Sequence, residues 1–112
     1  MRYTPIDEAA FTRQRALSEP LLEPWEYVDQ ALRADFATRS FTEAGRLAAE
    51  ISLAADAADH HPDIDVRYPG VVRVVITTHA TGGVTEHDVR LAATITQLAA
   101  SLATTSEPAP GA

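Results

Sequence analysis

Residues 63–76 read DIDVRYPGVVRVVI, and this stretch decides the fold. Apolar and polar side chains alternate from Ile64 to Tyr68, which is typical of a half-buried strand. Pro69-Gly70 favours a turn, with proline at the first central position and glycine able to take a positive φ at the second. The β-branched run from Val71 to His79 then predicts the returning strand of a hairpin.

An amphipathic helix is predicted before this hairpin. Ser40-Phe41-Thr42-Glu43 has the pattern of a capping box, in which the hydroxyl and the carboxylate satisfy the first free backbone N–H groups of a helix. Apolar residues follow at spacings of three and four: Ala44, Leu47, Ala48, Ile51, Ala54, Ala55 and Ala58. This spacing puts them on one helix face, and Pro62 predicts that the helix ends at about His60.

A second helix is predicted after the hairpin. Gly82-Gly83 interrupts the chain, Thr85 is a candidate N-cap, and Asp88 stands at the third helical position. Val84 and Val89 have the spacing of a hydrophobic staple around this cap. The apolar face continues with Leu91, Ile95, Leu98 and Leu102.

The first third of the chain predicts another hairpin and a short helix. Residues 25–36 are rich in aromatic and β-branched side chains and then alternate, with Asp29-Gln30 as the turn between two strands. Thr4 can cap a helix that has Pro5 at its first position and runs to about Leu17.

The order of elements predicts an α+β fold with two layers. A four-stranded antiparallel sheet carries its helices on one face, as ββαββα with an extra N-terminal helix. Residues 1–112 are expected to form a single domain, with a disordered tail over 104–112. The open face and the edge strands favour self-association.

Composition excludes several functions. The net charge is −7 and all nine basic residues are arginine, so neither nucleic acid nor an anionic membrane surface is an expected partner. The chain has no cysteine, which rules out thiol catalysis and cysteine-based zinc sites. The N-terminus shows no apolar leader, and the apolar stretch Val71 to Ile76 is too short to cross a membrane. A cytoplasmic location is therefore expected.

Three histidines are placed where elements are predicted to end. His60 and His61 close the long helix, and His79 closes a strand; element ends meet at clefts. Asp56 precedes His60 by four residues, so its carboxylate is expected to hold that imidazole, and Asp88 is a further acid nearby. Histidines oriented by carboxylates suit proton transfer near neutral pH.

Each of these residues also has a purely structural interpretation. His60 can be a helix cap, the capping box alone explains Asp88, and Asp56 can be a solvated helix residue. His87 has no neighbour in sequence that suggests a role and is expected at the surface. A metal site is disfavoured because adjacent His60 and His61 point in different directions. Neither a G-x-S-x-G elbow nor a glycine-rich phosphate loop is present.

Taken together, these residues resemble the pterin-4a-carbinolamine dehydratase family. The resemblance covers about residues 25–98, and residues 1–20 diverge from it. Its motifs are Asp56-x-x-x-His60-His61-Pro62, Tyr68, Thr77-Thr78-His79, Gly82-Gly83-Val84-Thr85 and Asp88.

The resemblance implies an enzyme that dehydrates 4a-hydroxytetrahydrobiopterin to quinonoid dihydrobiopterin, which recycles the pterin of aromatic amino-acid hydroxylation. It implies no metal and no organic cofactor. The catalytic residues would be His60, His61 and His79; the substrate-binding residues would be Asp59, Thr77, Thr78 and Ala80; Asp56 and Asp88 would support them.

The resemblance also implies partners. A homodimer or homotetramer is expected, and a hydroxylase or another protein is a further candidate partner. The alternative function is a non-enzymatic dimerisation or assembly module that binds a protein. The intact set of three histidines favours the enzyme.

The chain departs from the family pattern at three places. Asp56 stands where many members have glutamate, and Ala80 replaces a frequent acidic residue. The segment from Tyr68 to His79 is one residue longer than usual, and a slip of one residue within a strand would turn His79 away from the site. We expect the Pro69-Gly70 turn, rather than a bulge, to absorb this residue.

Overall fold

The computed structural model describes residues 3–18 and 20–105. Its elements are α1 (Glu8–Leu17), β1 (Glu26–Val28), β2 (Ala31–Ala37), α2 (Phe41–Ala58), β3 (Asp63–Arg67), β4 (Val71–Ile76) and α3 (Glu86–Thr105). The strands form one antiparallel sheet in the order β1-β2-β4-β3, which confirms the predicted α+β fold. Of the predicted tail, 104 and 105 belong to α3, and 106–112 lie outside the described residues.

The alternation of side chains along the strands gives the sheet one buried and one open face. On β2, Leu32, Ala34 and Phe36 are buried, whereas Arg33 and Asp35 are exposed. The helices α2 and α3 pack on the buried face and on each other. The second layer therefore covers only one side of the sheet, as the sequence predicts.

Trp25 anchors this core just before β1. Its side chain is fully buried, and its indole N–H donates to Thr96 Oγ1 of α3 over 2.8 Å. Its ring meets Phe36 edge to face, with ring centroids 5.8 Å apart. A single aromatic residue thus joins the first hairpin to the last helix.

The open face carries a charged pair that joins two strands. Arg73 of β4 donates two hydrogen bonds to Asp35 of β2, over 2.8 and 3.0 Å. These bonds hold the pKa of the Asp35 carboxyl below its usual value. Charged side chains on an uncovered sheet face discourage unspecific pairing with other chains.

The first hairpin forms as predicted. Asp29 and Gln30 both have positive φ, 50° and 61°, between the paired residues Val28 and Ala31. Two successive residues with positive φ are typical of a type I′ turn, whose twist matches that of the strands.

The second hairpin forms with a turn of a different kind. The Tyr68–Pro69 peptide bond is cis, and Gly70 does not have positive φ, so the predicted turn geometry is wrong. The pairing of β3 with β4 runs unbroken from Arg67↔Val71 to Asp63↔Val75. This ladder contains no bulge, and the expectation that the Pro69-Gly70 turn absorbs the extra residue stays a prediction.

Close packing, rather than positive φ, explains the glycine of this turn. A Cβ on Gly70 would lie 2.7 Å from the carbonyl oxygen of Ser40, which begins α2. The Gly70 carbonyl also accepts hydrogen bonds from the backbone N–H and the hydroxyl of Thr38, both over 2.7 Å. The turn is therefore pinned against the segment that leads into α2.

The N-terminal helix begins later than predicted. It starts at Glu8 with Asp7 as N-cap, whose Oδ1 accepts from the N–H of Ala10 over 2.8 Å. Thr4 and Pro5 are extended instead, because this segment pairs with the start of α3: Pro5 bridges to Thr85, and the Ile6 N–H donates to the Val84 carbonyl over 2.8 Å.

We predict opposite effects for two glycine-to-alanine substitutions. Gly70→Ala lowers the free energy of unfolding by about 1–3 kcal/mol, because the new methyl overlaps the Ser40 backbone. Gly45→Ala, in open space on the exposed face of α2, raises it by about 0.5–1 kcal/mol through helix propensity. Urea unfolding of both variants measures the two changes, and an unaffected Gly70→Ala would contradict the close contact.

Candidate active site

The end of α2 sets the direction of the two adjacent histidines. The helix ends at Ala58, and Asp59 takes the left-handed conformation, with φ 50° and ψ 44°. The N–H of Asp59 donates to Asp56 O over 3.2 Å and that of His60 to Ala55 O over 3.1 Å, which is a Schellman motif. His60 therefore lies outside the helix, which ends slightly earlier than the predicted end at about His60.

His60 is held by Asp88 and not by Asp56. Its Nε2 lies 2.5 Å from Asp88 Oδ1, and only 12% of its side chain is exposed. Asp56 instead contacts Nε2 of His61 over 3.0 Å, with both side chains exposed. The prediction that Asp56 holds His60 is wrong because the left-handed residue between them breaks the helical spacing of four.

Asp88 is fully buried in the first turn of α3, and each of its oxygens has a partner. Oδ2 accepts from the N–H of Thr85 and from the Thr78 hydroxyl, both over 2.7 Å, while Oδ1 meets His60. Because an ionised carboxylate only accepts, Nε2 of His60 carries the proton of this bond. The positive end of α3 adds to the stabilisation of the charge.

The predicted cap of α3 is present, and it includes a contact with Thr78 that the sequence pattern does not indicate. Thr85 is the N-cap, its Oγ1 accepts from the His87 N–H over 3.3 Å, and Asp88 Oδ2 binds its backbone N–H. The Thr85 hydroxyl also lies 2.8 Å from that of Thr78, which follows β4. The cap thus links α3 to the end of the sheet.

A cleft of about 220 Å³ opens beside these groups. It is lined by Tyr3, Asp59, His60, His61, Thr77, Thr78, His79 and Ala80. The structure therefore brings together every residue proposed as catalytic or substrate-binding. Asp88 lies behind His60, and Asp56 lies behind His61.

The loop after β4 carries His79 into this cleft. The strand ends at Ile76, earlier than predicted, because Thr78 pairs with Gly83: its N–H donates to the Gly83 carbonyl over 3.1 Å. Gly82 closes the loop with a positive φ of 68°. His79 is exposed at its tip and lines the cleft, so the extra residue of the hairpin does not turn it away.

The two threonine hydroxyls at the cleft already donate hydrogen bonds within the protein. Thr77 donates to the Gln30 carbonyl over 2.9 Å, and Thr78 donates to Asp88. A ligand can still use the lone pairs of the Thr77 hydroxyl or the polar backbone of this loop. These side chains consequently fix the loop as well as line the site.

Two contributors to the site could not be predicted from the sequence. Tyr3 belongs to the divergent N-terminal segment, and His87 was expected at the surface. The His87 ring instead stacks against His60, with centroids 6.0 Å apart and 30° between planes, and 22% of its side chain is exposed. No local pattern indicates either contact, because each joins segments distant in sequence.

Neither a metal cluster nor a membrane span is found within residues 3–18 and 20–105. No group of three or more histidine, aspartate or glutamate side chains in these ranges is placed to hold a metal ion. No helix in the same ranges has the length and apolar character needed to span a membrane.

Comparison with known proteins gives concordant matches. The sequence model for pterin 4 alpha carbinolamine dehydratase matches residues 6–98. Two curated relatives carry the name pterin-4-alpha-carbinolamine dehydratase as a provisional assignment. The protein from Mycobacterium sp. (strain KMS) is 38% identical over 70% of this chain and 83% of its own. The protein from Sulfolobus acidocaldarius is 39% identical over 76% of this chain and 90% of its own.

A solved structure has the same fold. The crystal structure of a transcriptional coactivator/pterin dehydratase from Brucella melitensis superposes with a TM-score of 0.73. Its sequence is 26% identical, and the match covers 86% of this chain and 99% of that one.

We predict that Asp88 carries more stability than Asp56. Asp88→Asn replaces one accepting oxygen by a donor in a buried site, so a buried N–H or O–H group loses its partner at a cost of about 1–3 kcal/mol. Asp56→Asn, at an exposed position, changes stability by less than about 0.5 kcal/mol. Chemical denaturation measures both, and equal effects would contradict the buried network.

Proposed function

Because the chain belongs to the pterin 4 alpha carbinolamine dehydratase family, we propose that it removes water from 4a-hydroxytetrahydrobiopterin to give quinonoid dihydrobiopterin. The observation that supports this most is the cleft itself. Three imidazoles line it, and one of them, His60, is held at Nε2 by the buried carboxylate of Asp88.

The reaction needs proton transfers at two atoms and no oxidation or reduction. The C4a–O bond breaks, the leaving hydroxyl takes a proton and departs as water, and N5 loses its proton as the C4a=N5 double bond forms. One acid at the oxygen and one base at N5 therefore suffice, each contributing about 10²–10⁴-fold. We accordingly propose that no metal or organic cofactor takes part.

His60 suits the acid. Its Nε2–H donates to Asp88. Its Nδ1 has no hydrogen-bond partner among the described residues, so Nδ1 is available to the substrate. A carboxylate behind an imidazole fixes its tautomer and stabilises its protonated form. His60 protonated at Nδ1 can then donate to the 4a-hydroxyl.

His61 and His79 suit the base. Both are exposed and line the same cleft, so either can accept the N5 proton and pass it to water. Asp56 orients His61 through its 3.0 Å contact with Nε2. Asp59, Thr77, Thr78 and Ala80 supply the rim against which the pterin ring would bind.

Self-association and a protein partner are further proposals. Phe41 and Leu53 are large apolar side chains exposed on α2, and β1 and β3 are open edges of the sheet. These features favour a homodimer or homotetramer. A cytoplasmic location is a separate part of the proposal. The Brucella protein is described as a transcriptional coactivator as well as a dehydratase, which supports the alternative of an assembly module that binds another protein.

We predict a loss of turnover from each histidine-to-alanine change in the cleft. His60→Ala, His61→Ala and His79→Ala each lower kcat by roughly ten-fold or more, with the largest loss, about 10²–10⁴-fold, at His60. The rates are measured from the ultraviolet absorbance change as enzymatically generated 4a-hydroxytetrahydrobiopterin is dehydrated. We expect that adding a chelator to the assay leaves the wild-type rate unchanged.

Arg46→Ala, at an exposed position of α2, is the control and retains the wild-type rate. A His79→Ala variant with wild-type turnover would remove His79 from the mechanism. Wild-type protein that lacks dehydratase activity but forms oligomers by light scattering would favour the assembly module.

A further inference from the structure

We propose that His87 is a positioning residue for His60: the His87 ring lies against the face of the His60 imidazole and sets the plane in which that imidazole meets the cleft. The consequence for turnover rests on the function proposed above. The contact itself, and the tautomers it implies, can be tested without substrate.

The bond to Asp88 alone does not fix the His60 ring. Nε2 lies close to the Cβ–Cγ axis about which an imidazole rotates, so a hydrogen bond at this atom restrains the rotation weakly. A second ring against the face restrains it directly, and the centroids of His60 and His87 are 6.0 Å apart with 30° between the planes. The direction of Nδ1, the atom left for substrate, depends on this rotation.

Both ring nitrogens of His87 contact charged side chains. Nη2 of Arg90 lies 3.2 Å from Nδ1, and because a guanidinium only donates, Nδ1 accepts. Because a neutral imidazole has one N–H and Nδ1 accepts, Nε2 carries the proton, and it lies 3.3 Å from Glu86 Oε1 in an ion-pair contact. These contacts define a neutral ring, which can stack on a protonated His60 without repulsion between two cations.

The N-terminal segment completes the support. The Tyr3 and His87 rings meet edge to face, with centroids 5.0 Å apart and 71° between planes. The backbone N–H of Thr4 donates to Glu86 Oε2 over 2.6 Å, and the Glu86 N–H donates to the Thr4 carbonyl over 3.2 Å.

The carboxylate at the centre of this support stays ionised. Burial raises the pKa of Glu86, but hydrogen bonds from its own backbone N–H and from that of Thr4, together with nearby positive charge such as that of Arg90, leave the pKa lowered. The negative charge beside Nε2 of His87 is thus kept. Tyr3 and Thr4, outside the part of the chain that resembles the family by sequence, belong to the support of the site.

The first experiment uses the full ¹⁵N-labelled chain without substrate. Long-range ¹H–¹⁵N spectra report the protonation of each imidazole nitrogen, and His→Gln variants assign the signals. We expect the wild-type His87 to show one neutral tautomer, with its proton on Nε2. In Arg90→Gln we expect this preference for a single tautomer to be lost. A His87 signal that averages both tautomers in the wild-type protein would overturn the proposal.

The second experiment compares His87→Ala with His87→Phe in the dehydratase assay. Alanine removes the ring and is expected to lower kcat roughly 10- to 100-fold with little change in KM, because a misplaced reacting atom costs rate rather than binding. Phenylalanine keeps a flat ring against His60 and restores most of kcat. Gln97→Ala, at an exposed position of α3, is the control.

The outcomes separate positioning from simple structural support. Wild-type kcat in His87→Ala, or equal losses in the alanine and phenylalanine variants, would overturn the proposal. A lowered melting temperature with unchanged kcat would do the same. If the wild-type protein shows no dehydratase activity, the proposed function fails, and the ¹⁵N spectra still decide whether His87 has the single neutral tautomer that the proposal requires.

Discussion

The buried carboxylate of Asp88 is the group on which the rest of the structure depends. It receives hydrogen bonds from the start of α3, from the loop after β4 and from the segment after α2, through Thr85, Thr78 and His60. Burying a charge is costly unless every partner is present, so each of these segments is placed correctly only when the other two are. The hydrogen bond between Asp88 Oδ1 and His60 Nε2, which stabilises the fold, also anchors one nitrogen of the imidazole on which the proposed chemistry relies.

Much of the fold could be predicted because its signals are local. Alternation along β2 and β4, the capping boxes at Ser40 and Thr85, and the turn at Asp29-Gln30 each involve residues within a few positions of one another. The start of α1 could not be predicted in this way. The Thr4-Pro5 cap signal is genuine in isolation, but pairing with Thr85 gives this segment hydrogen bonds that a longer helix would lose.

The site was less accessible to sequence reasoning than the fold. The capping box accounts for one oxygen of Asp88, but the partner of the other oxygen is His60, 28 residues away. The spacing of Asp56 and His60 suggested a helical pair, and nothing in the sequence indicates that an aspartate would end α2 in the left-handed conformation. The stacking of His87 on His60 likewise depends on the packing of two separate segments.

That left-handed residue has a consequence for the balance between stability and function. Asp59 ends α2 with φ 50° in a position where glycine is the usual occupant and where a side chain with a Cβ costs roughly 1–2 kcal/mol. The helix end therefore gives up stability at Asp59, the one residue whose carboxylate lines the cleft among the residues that the structure describes. A glycine in place of Asp59 would favour the left-handed conformation and remove this carboxylate, so the junction between α2 and His60 is where stability and the proposed pterin site compete.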